Sequence, residues 1–423
     1  MEEWKEDKLI NLLDRLIDYR GKTPVKTETG VPLITAKIIK NGRIETPTEF
    51  IAEDNYNSWM VRGFPREGDV VLTTEAPLGE VAQLDNRKIA LAQRIVCLRG
   101  KTGILDNAYL KYFFMSNIGH SRLCARETGT TVTGIKQSEL KEVLISYPSY
   151  VIQQKVSAIL KSLDSKIELN RRINDNLEQQ AQALFKSWFV DFEPFKDGKF
   201  VESELGMMPE GWRVGTFTDI IYSTFGGDWG KEIKQGNYTQ KVFCIRGADI
   251  PDIKIGNRGN MPVRYILDKN YQSKLLKIGD LVIEISGGSP TQSTGRICRI
   301  SLELLNKYDN SVICTNFCRA IKPILEYSPY IYYMWEYLYK QGVMFSYENG
   351  TTGIKNLDIN GLTQKESVII PPQEIAVEFA KTVNCIYKKV QSNGIESETL
   401  SNFRDALLPK LMSGELKINN LHR

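Results

Sequence analysis

The chain has 423 residues, of which 42% are hydrophobic and 25% charged, so it is long enough for two or three ordinary globular domains. No apolar run approaches the roughly 20 residues that cross a bilayer, and the acidic start MEEWKED lacks a signal-peptide layout. The net charge is only +4, so binding to nucleic acid would have to come from local basic patches.

The seven cysteines are scattered, odd in number and free of any C-x-x-C pair. This usage predicts reduced, mostly buried thiols in a cytoplasmic protein. Cys314 and Cys318 lie four positions apart, but a structural zinc site takes four ligands. The pair alone therefore predicts no metal site.

The first predicted element is a globule over residues 1–149. Its short β-branched runs VPLITAKII, DVVLTTE and QRIVCL are separated by Gly, Asp, Asn and Pro, which is typical of strands. A helical segment over 108–126 is predicted among them. The pattern as a whole indicates a mixed α/β globule.

A long helix is predicted over residues 150–192. Apolar residues step by threes and fours over some five heptads without Pro or Gly, which is typical of a coiled coil. About 39 helical residues would span about 58 Å. Leu163, Leu177 and Trp188 belong to the predicted seam. Asn170 falls in it too, where it would set the register of paired helices or lie at their wet edge.

The same order returns after a polar linker over 193–211. The runs KVFCIRG, DLVIEIS and SVICTNF predict strands, and a helical segment is predicted over 329–345. Together they predict a second globule over 212–372. The aromatic run YSPYIYYMWEYLYKQ within it fits an amphipathic helix packed on a sheet, or a surface that stacks unpaired bases.

A second long helix is predicted over 373–416. Val383, Leu400 and Leu407 lie in its apolar stripe. Asn393-Gly394 is expected to interrupt the pattern, and Pro409 to kink or end the helix.

The two halves repeat one another. Trp4 is matched by Trp212, 212 − 4 = 208 positions later, and the phrase Gly-Thr-Thr before Gly-Ile-Lys starts at Gly129 and at Gly350, 350 − 129 = 221 positions apart. Such drift is expected when insertions accumulate in surface loops. The predicted fold class is therefore α+β: a tandem duplication of a mixed globule followed by a long helix, with the two helices pairing as an antiparallel coiled coil.

Motifs for catalysis are missing from the sequence. With only two histidines, a Ser-His-Asp triad, a His-rich metal site and an H-E-x-x-H zincin are nearly excluded. The sequence also lacks a phosphate loop, a dinucleotide fingerprint and the Asn/Asp-Pro-Pro-aromatic motif of amino-methyltransferases. The chain is expected to catalyse nothing alone and to hold neither metal nor cofactor.

In its duplicated globules and helices the chain resembles the specificity subunits of type I restriction–modification systems. The segments ALFKSWFVDFEPF and LLPKLMSGEL, at the ends of the two helices, are similar to conserved helical regions of that family. The likeness extends from Trp4 to Leu416. It implies two target recognition domains that read the two halves of a bipartite, asymmetric double-stranded DNA target.

The resemblance also implies partners. The helices would space the two domains and dock two methyltransferase subunits, and ATP-dependent restriction subunits could join the assembly. S-adenosylmethionine, ATP and Mg would then be bound by the partner subunits and not by this chain. No membrane partner is implied.

Candidates for DNA contacts are cations on predicted loops, because base edges and phosphates are recognised by such donors. They are Lys37, Lys40, Arg43 and Arg94 in the first globule and Arg246, Arg258, Arg264 and Arg296 in the second. Lys136 and Lys355 occupy equivalent places in the repeated phrase and are candidates for phosphate contacts. Each of the ten also fits a solvated surface charge. The Gly-Thr-Thr turns could serve only to end a helix.

Other functions remain compatible with the sequence. One is a self-sufficient nuclease or methyltransferase, which the missing motifs argue against. Others are a DNA-targeting subunit of a methyltransferase without a restriction partner, and a coiled-coil scaffold without a DNA role. The scaffold hypothesis leaves the duplicated globules and their basic loops unexplained.

Overall fold

A computed structural model describes residues 4–129, 133–289, 292–350 and 355–417. The chain forms two compact units, one of Met1–Ser165 with Leu400–Arg423 and the other of Lys166–Thr399. Each unit contains one globule and a part of both long helices. The end of the second helix therefore belongs to the unit of the first globule.

The elements of the first half are short except for its last helix. The strands are β1 (Lys5–Lys8), β2 (Leu13–Asp18), β3 (Val31–Ile34), β4 (Ile39–Lys40), β5 (Arg43–Ile44), β6 (Phe50–Ile51), β7 (Val70–Thr74), β8 (Leu78–Gln83), β9 (Ala90–Leu91), β10 (Ile95–Gly100) and β11 (Leu144–Tyr147). The helices are α1 (Leu9–Leu12), α2 (Tyr56–Trp59), α3 (Asn107–Met115), α4 (Asn117–Cys124), α5 (Gln137–Lys141) and α6 (Tyr150–Phe189).

A hairpin of β12 (Phe200–Ser203) and β13 (Gly206–Pro209) precedes the second half. The strands of that half are β14 (Arg213–Gly215), β15 (Ile221–Gly226), β16 (Tyr238–Ile245), β17 (Val263–Leu267), β18 (Leu281–Glu284), β19 (Ser286–Gly287), β20 (Ile297–Arg299), β21 (Val312–Cys314), β22 (Cys318–Pro323), β23 (Glu348–Asn349), β24 (Lys355–Leu357) and β25 (Val368–Ile370). The helices are α7 (Ile250–Lys254), α8 (Asp268–Lys274), α9 (Leu302–Lys307), α10 (Ser328–Lys340), α11 (Ile359–Lys365) and α12 (Gln373–Met412).

The two globules have the same sheet topology. Four antiparallel strands follow the order β2-β10-β7-β8 in the first and β15-β22-β18-β20 in the second. A strand of a second sheet, β3 or β16, pairs in parallel with β9 or β21 and antiparallel with β6 or β17. The first and last strands of each globule, β1 with β11 and β14 with β25, close it before the long helix. The predicted duplication is confirmed.

Single hydrogen bonds repeat as well. The Ala92 N–H donates to the Ile34 carbonyl oxygen at 2.9 Å, and the Thr315 N–H to that of Ile245 at 3.0 Å. These bonds identify equivalent residues of the two copies more reliably than the drifting sequence offset does, because each joins two neighbouring strands.

An apolar core lies between the sheets and the helices of each globule. In the first, Tyr109 and Phe113 of α3 are buried beside Leu72 and Leu98 of the four-stranded sheet. In the second, Tyr330 and Trp335 of α10 are fully buried, and the Trp335 indole N–H donates to the Gly295 carbonyl oxygen at 2.8 Å. The aromatic run is therefore a packed helix, and the alternative of a base-stacking surface is wrong.

The long helices α6 and α12 pack against each other in antiparallel order. In the second unit, Asn170 contacts Asn393, whereas Phe189, further along α6, stacks edge-on against Phe379, which precedes Asn393 on α12, with 4.9 Å between ring centroids. In the first unit, Asp164 of α6 pairs with Arg404 of α12 at 2.9 Å. This confirms the predicted pairing.

Helix α12 differs from the sequence expectation at Asn393-Gly394, where it continues without a break. A Cβ on Gly394 would overlap the backbone of Ile255 and Gly256, so the glycine allows a loop of the second globule to touch the helix. Pro409 lies in the helix, which ends at Met412, within one turn of it.

The seam also deviates from a strict heptad. Val383 is fully buried, whereas Leu163, Leu177, Trp188, Leu400 and Leu407 are half-buried. The most buried rings near the end of α6 are Phe185 and Phe189, and Phe189 lies one position after the predicted Trp188. An α-helix has 3.6 rather than 3.5 residues per turn, so its buried stripe drifts around the helix over five heptads.

Cys97, Cys244, Cys298, Cys314 and Cys318 are buried free thiols, as the cysteine pattern predicted. Among the described residues, no group of three His, Cys, Asp or Glu side chains is arranged to hold a metal ion. None of the described helices is long and apolar enough to span a membrane.

Candidate nucleic-acid interface and helix seam

The first globule brings two of the predicted DNA contacts together where the parallel strands β3 and β9 end. Lys37 follows β3, Arg94 follows β9, and both line a cleft of about 180 Å³ with Lys26 and Gln93. The Arg94 guanidinium pairs with Glu75 at 2.9 Å and stays half exposed. Lys37 is exposed and has no ion pair with any residue that the structure describes. This edge therefore offers cations and an amide to a ligand.

Two further candidates lie apart from that cleft on the hairpin of β4 and β5. Lys40 pairs with Glu45 at 3.0 Å, and Arg43 lies 4.0 Å from the same carboxylate. Exposed pairs of this kind contribute about 0–1 kcal/mol, so both cations remain available to a phosphate.

The second globule engages its candidate arginines more firmly. Arg296 binds Glu284 through two hydrogen bonds of 2.7 and 2.6 Å, and Glu284 is 4% exposed. Withdrawing Arg296 to a base would leave that carboxylate unpaired, at a cost of about 3–5 kcal/mol. The geometry favours a structural role for Arg296.

Arg246 is the equivalent of Thr35 by the strand pairing, at the end of the parallel strand β16. Its guanidinium donates to both oxygens of Asp249 at 3.0 and 3.1 Å and to the Asn260 carbonyl oxygen at 2.6 Å. These bonds use Nε and Nη2 within the chain.

The remaining two arginines are also paired. Arg264 lies over the Trp229 ring at 4.0 Å, pairs with Glu232 at 2.9 Å and has a largely buried side chain. Arg258 pairs with Glu398 of α12 at 3.0 Å, so it is held against the second long helix. Their partners are distant in sequence, and no local pattern could have predicted them.

The predicted equivalence of Lys136 and Lys355 is wrong. The Ile135 N–H donates to the Thr74 carbonyl oxygen and the Leu357 N–H donates to that of Ile285, so Lys136, the next residue, corresponds to Asp358. Lys355 lies three positions before Asp358, so the sequence phrase is displaced from the structurally equivalent position. Lys355 pairs with Glu348 at 2.8 Å, whereas Lys136 is exposed. The threonines of both Gly-Thr-Thr phrases lie outside the described residues.

In the first unit the helix seam contains a buried ion network. One Asp164 oxygen accepts from Lys111 and from the Tyr112 hydroxyl, each at 2.8 Å, and the other accepts from Arg404 at 2.9 Å. Burial alone would raise the pKa of Asp164, but the two cations outweigh it and hold the pKa below its ordinary value. The network ties α3 of the globule to both long helices.

In the second unit amides take the place of charges. Asn170 is 1% exposed and donates to Glu396 at 2.9 Å, and Asn393 donates to Asn174 at 2.9 Å across the seam. Asn174 also donates to the Val390 carbonyl oxygen at 3.1 Å. Asn170 is thus inside the seam, and the alternative of a wet-edge position is wrong. That it sets the register stays a prediction. The sequence analysis did not place Asn174 and Asn393 in the seam. Asn174 lies four positions after Asn170 and Asn393 three positions after Val390, so helical spacing was the signal that could have found them.

Comparison with known proteins shows which family has this sequence. Residues 1–179 match the family described as Type I restriction modification DNA specificity domain. The chain is 30% identical over 434 residues to the type I restriction enzyme MjaIX specificity subunit of Methanocaldococcus jannaschii, covering 99% of this chain and 95% of that one. It is 26% identical over 426 residues to the HindI specificity subunit of Haemophilus influenzae, covering 83% and 87%.

A solved structure has the same fold. The type I restriction-modification system S subunit from M. genitalium aligns with a TM-score of 0.53 and 18% identity, covering 97% of this chain and 96% of that one. Two copies of an α+β globule, each with a share of an antiparallel helix pair, define the class of protein. The chain belongs to the family of type I restriction enzyme specificity subunits.

Proposed function

We propose that this chain is the DNA-recognition subunit of a type I restriction–modification complex and that each globule reads one half of a bipartite, asymmetric target. The observation that carries the proposal is the identical strand order of the two globules combined with different side chains at equivalent loops. Similar readers can face two half-sites in the same way, because a duplex has local two-fold symmetry. Different loop residues then make the half-sites differ in sequence.

The basic cleft beside Lys37 and Arg94 supports a DNA role for the first globule. Phosphates attract unpaired or weakly paired cations, and base edges are read by arginine and by amides. This chain is non-catalytic in the proposal. S-adenosylmethionine, ATP and Mg are bound by its partner subunits, and restriction subunits join where they are present.

The long helices dock the methyltransferase subunits in this proposal. Apolar side chains on them stay more than half exposed although the seam is filled: Val151 at 59%, Leu169 at 51% and Phe403 at 56%. Covering such side chains with a protein partner would remove apolar surface from water, which is favourable.

Exchange of the first globule tests the two-reader proposal. Residues 1–149 are replaced by the equivalent globule of a relative, and the complex with methyltransferase subunits is scored by methylation of a randomised DNA library. We expect one half-site to change and the other to remain. A change of both half-sites together, or transfer of methyl groups by this chain alone, would contradict the proposal.

Docking is tested separately at the helices. Phe403→Glu should abolish co-purification with the methyltransferase, whereas Tyr222→Glu, which changes a more exposed aromatic on β15, should leave it intact. Co-purification at wild-type stoichiometry with Phe403→Glu would show that this part of α12 is not the docking surface.

A further inference from the structure

Both globules contain the same two-residue turn, which leads from the parallel strand into the centre of the four-stranded sheet. The turn consists of Gln93-Arg94 between β9 and β10, and of Asn316-Phe317 between β21 and β22. The Thr74 N–H donates to the Arg94 carbonyl oxygen at 2.8 Å, and the Ile285 N–H to that of Phe317 at 3.0 Å. The two turns are therefore structural equivalents.

The second turn is fixed firmly yet presents its side chains outward. The Cys318 N–H donates to the Thr315 carbonyl oxygen at 3.0 Å, which closes the turn, and Thr315 is bonded to β16. Phe317 is nevertheless 58% exposed, and Asn316 is exposed beside it. The backbone hydrogen bonds on either side of the turn therefore keep the Phe317 ring exposed to water. Exposure costs the free energy that burial of the ring would provide.

Two arginines near this turn are already engaged. Arg246, at the end of the neighbouring parallel strand, is held by Asp249, and Arg296 is held by Glu284. In the first globule the same edge presents Lys37 and Arg94. The second globule has instead a neutral amide and a phenyl ring at the equivalent turn.

We propose that Asn316 and Phe317 are base-reading residues of the second globule, with the Asn316 amide on an adenine and the Phe317 ring against a thymine methyl group. The amide supplies both a donor and an acceptor, which match the N6 amino group and N7 of adenine in the major groove. The thymine methyl is the one apolar group that a base presents there. The assignment rests on the proposed function and adds its contact chemistry.

The equivalent turn of the first globule has a different chemistry. Gln93 carries the same amide on a longer side chain and donates to the Thr23 hydroxyl, while Arg94 replaces the ring by a guanidinium suited to guanine. The two half-sites therefore differ at the base pairs that these turns meet. The second is an A·T-containing step.

The test removes matched groups from protein and DNA. The complex reconstituted with methyltransferase subunits is titrated with a duplex that carries its library-selected target, in which single adenines are replaced by 7-deazaadenine and single thymines by uracil. For wild type, one deaza substitution in the second half-site should weaken binding about 5- to 150-fold. One uracil substitution there should weaken binding about fourfold.

Alanine variants of the two turn residues show which side chain causes each loss of binding. Asn316→Ala should bind the deaza duplex and the natural duplex equally, and Phe317→Ala should no longer distinguish thymine from uracil. Tyr222→Ala, an exposed aromatic beside the far end of β22, is the matched control and should keep both discriminations. Because both turn side chains are exposed, we expect the variants to unfold at the wild-type temperature, and Asn316→Ser and Phe317→Leu provide milder second variants.

The assignment is overturned if wild type selects its target but the variants keep both discriminations, or if no uracil or deaza position in the second half-site matters. The proposed function fails in a different way, because the wild-type complex would then select no target from the library. A loss of selectivity in the first half-site on changing Phe317 would also contradict the assignment.

Discussion

The two globules share a buried aspartate at the same turn, but its charge is paired with an arginine in only one of them. Asp69 and Asp280 each accept from a backbone N–H three residues earlier at 2.8 Å, and they are 1% and 5% exposed. Asp69 also receives two hydrogen bonds from Arg99, at 2.7 and 2.6 Å. The equivalent residue in β22 is Lys322, whose ammonium group lies over the Phe225 ring at 5.0 Å instead.

This difference shows what the duplication conserves. The backbone of the turn and the strand order are kept, while the partner of a buried charge is replaced. Burial is costly for a charged carboxylate, and it outweighs the backbone hydrogen bond and the charges of Lys322 and Lys277, so the pKa of Asp280 is raised to about 6. The first copy contains a buried ion pair, whereas the second contains a carboxyl group that takes up a proton as the pH falls through about 6.

The largest effect is expected where the ion pair is broken. Arg99→Ala leaves Asp69 buried and unpaired and should destabilise the first unit by about 3–5 kcal/mol. The matched change Lys322→Ala should alter stability by no more than about 0.5 kcal/mol. Hydrogen exchange of the intact chain, read at the amides of β7 and β10 against β18 and β22, measures both. Equal effects of the two changes would remove the contrast between the copies.

The second expected effect is a pH dependence confined to the second unit. A carboxyl group with a raised folded-state pKa stabilises the fold fully below its unfolded value, near pH 4, and loses that contribution as the pH rises through about 6. The loss amounts to about 2 kcal/mol between pH 4 and 7.5. Calorimetry of wild type against the Asp280→Asn variant isolates it, because all other groups are shared. The stability difference in favour of the variant should grow with pH, and a constant difference would contradict the prediction.

The smallest effect concerns the two lysines of the repeated phrase. Lys136→Ala should weaken binding to all DNA sequences alike and reduce the slope of log affinity against log salt by about 0.9, as expected for one lost phosphate contact. Lys355→Ala should leave the slope unchanged, because Glu348 already neutralises that lysine. Titrations of the reconstituted methyltransferase complex over a range of salt concentrations measure both. A reduced slope for Lys355→Ala alone would reverse the assignment.

Much of the fold could be predicted because it depends on local periodicity. DVVLTTE contains β7, QRIVCL covers the first four residues of β10, and the helix predicted over 150–192 contains α6. The break predicted at Asn393-Gly394 was wrong because the glycine allows close contact with Ile255, which is distant in sequence. Intrinsic helix propensity disfavours glycine inside a helix, but tertiary packing keeps α12 continuous at this position.

The site was less predictable, since ion pairing is a property of the folded chain. The sequence offers ten cations as candidates but not their partners; Arg258 meets Glu398, 398 − 258 = 140 residues away. The turn of Asn316 and Phe317 was missed because neither residue is charged. Alignment of the two copies by their strand pairing, rather than by the Gly-Ile-Lys phrase, is the signal that finds it.

The sharing of α12 between the units affects how the protein is made. Leu408, Leu411 and Met412 complete the core of the first globule, although they are synthesised roughly 260 residues after its last strand. At translation rates of about 5–20 residues per second, that core waits roughly 10 to 50 s on the ribosome for its missing helix. The domain that emerges first is thus the last to be finished. During that interval its apolar face is open to chaperones.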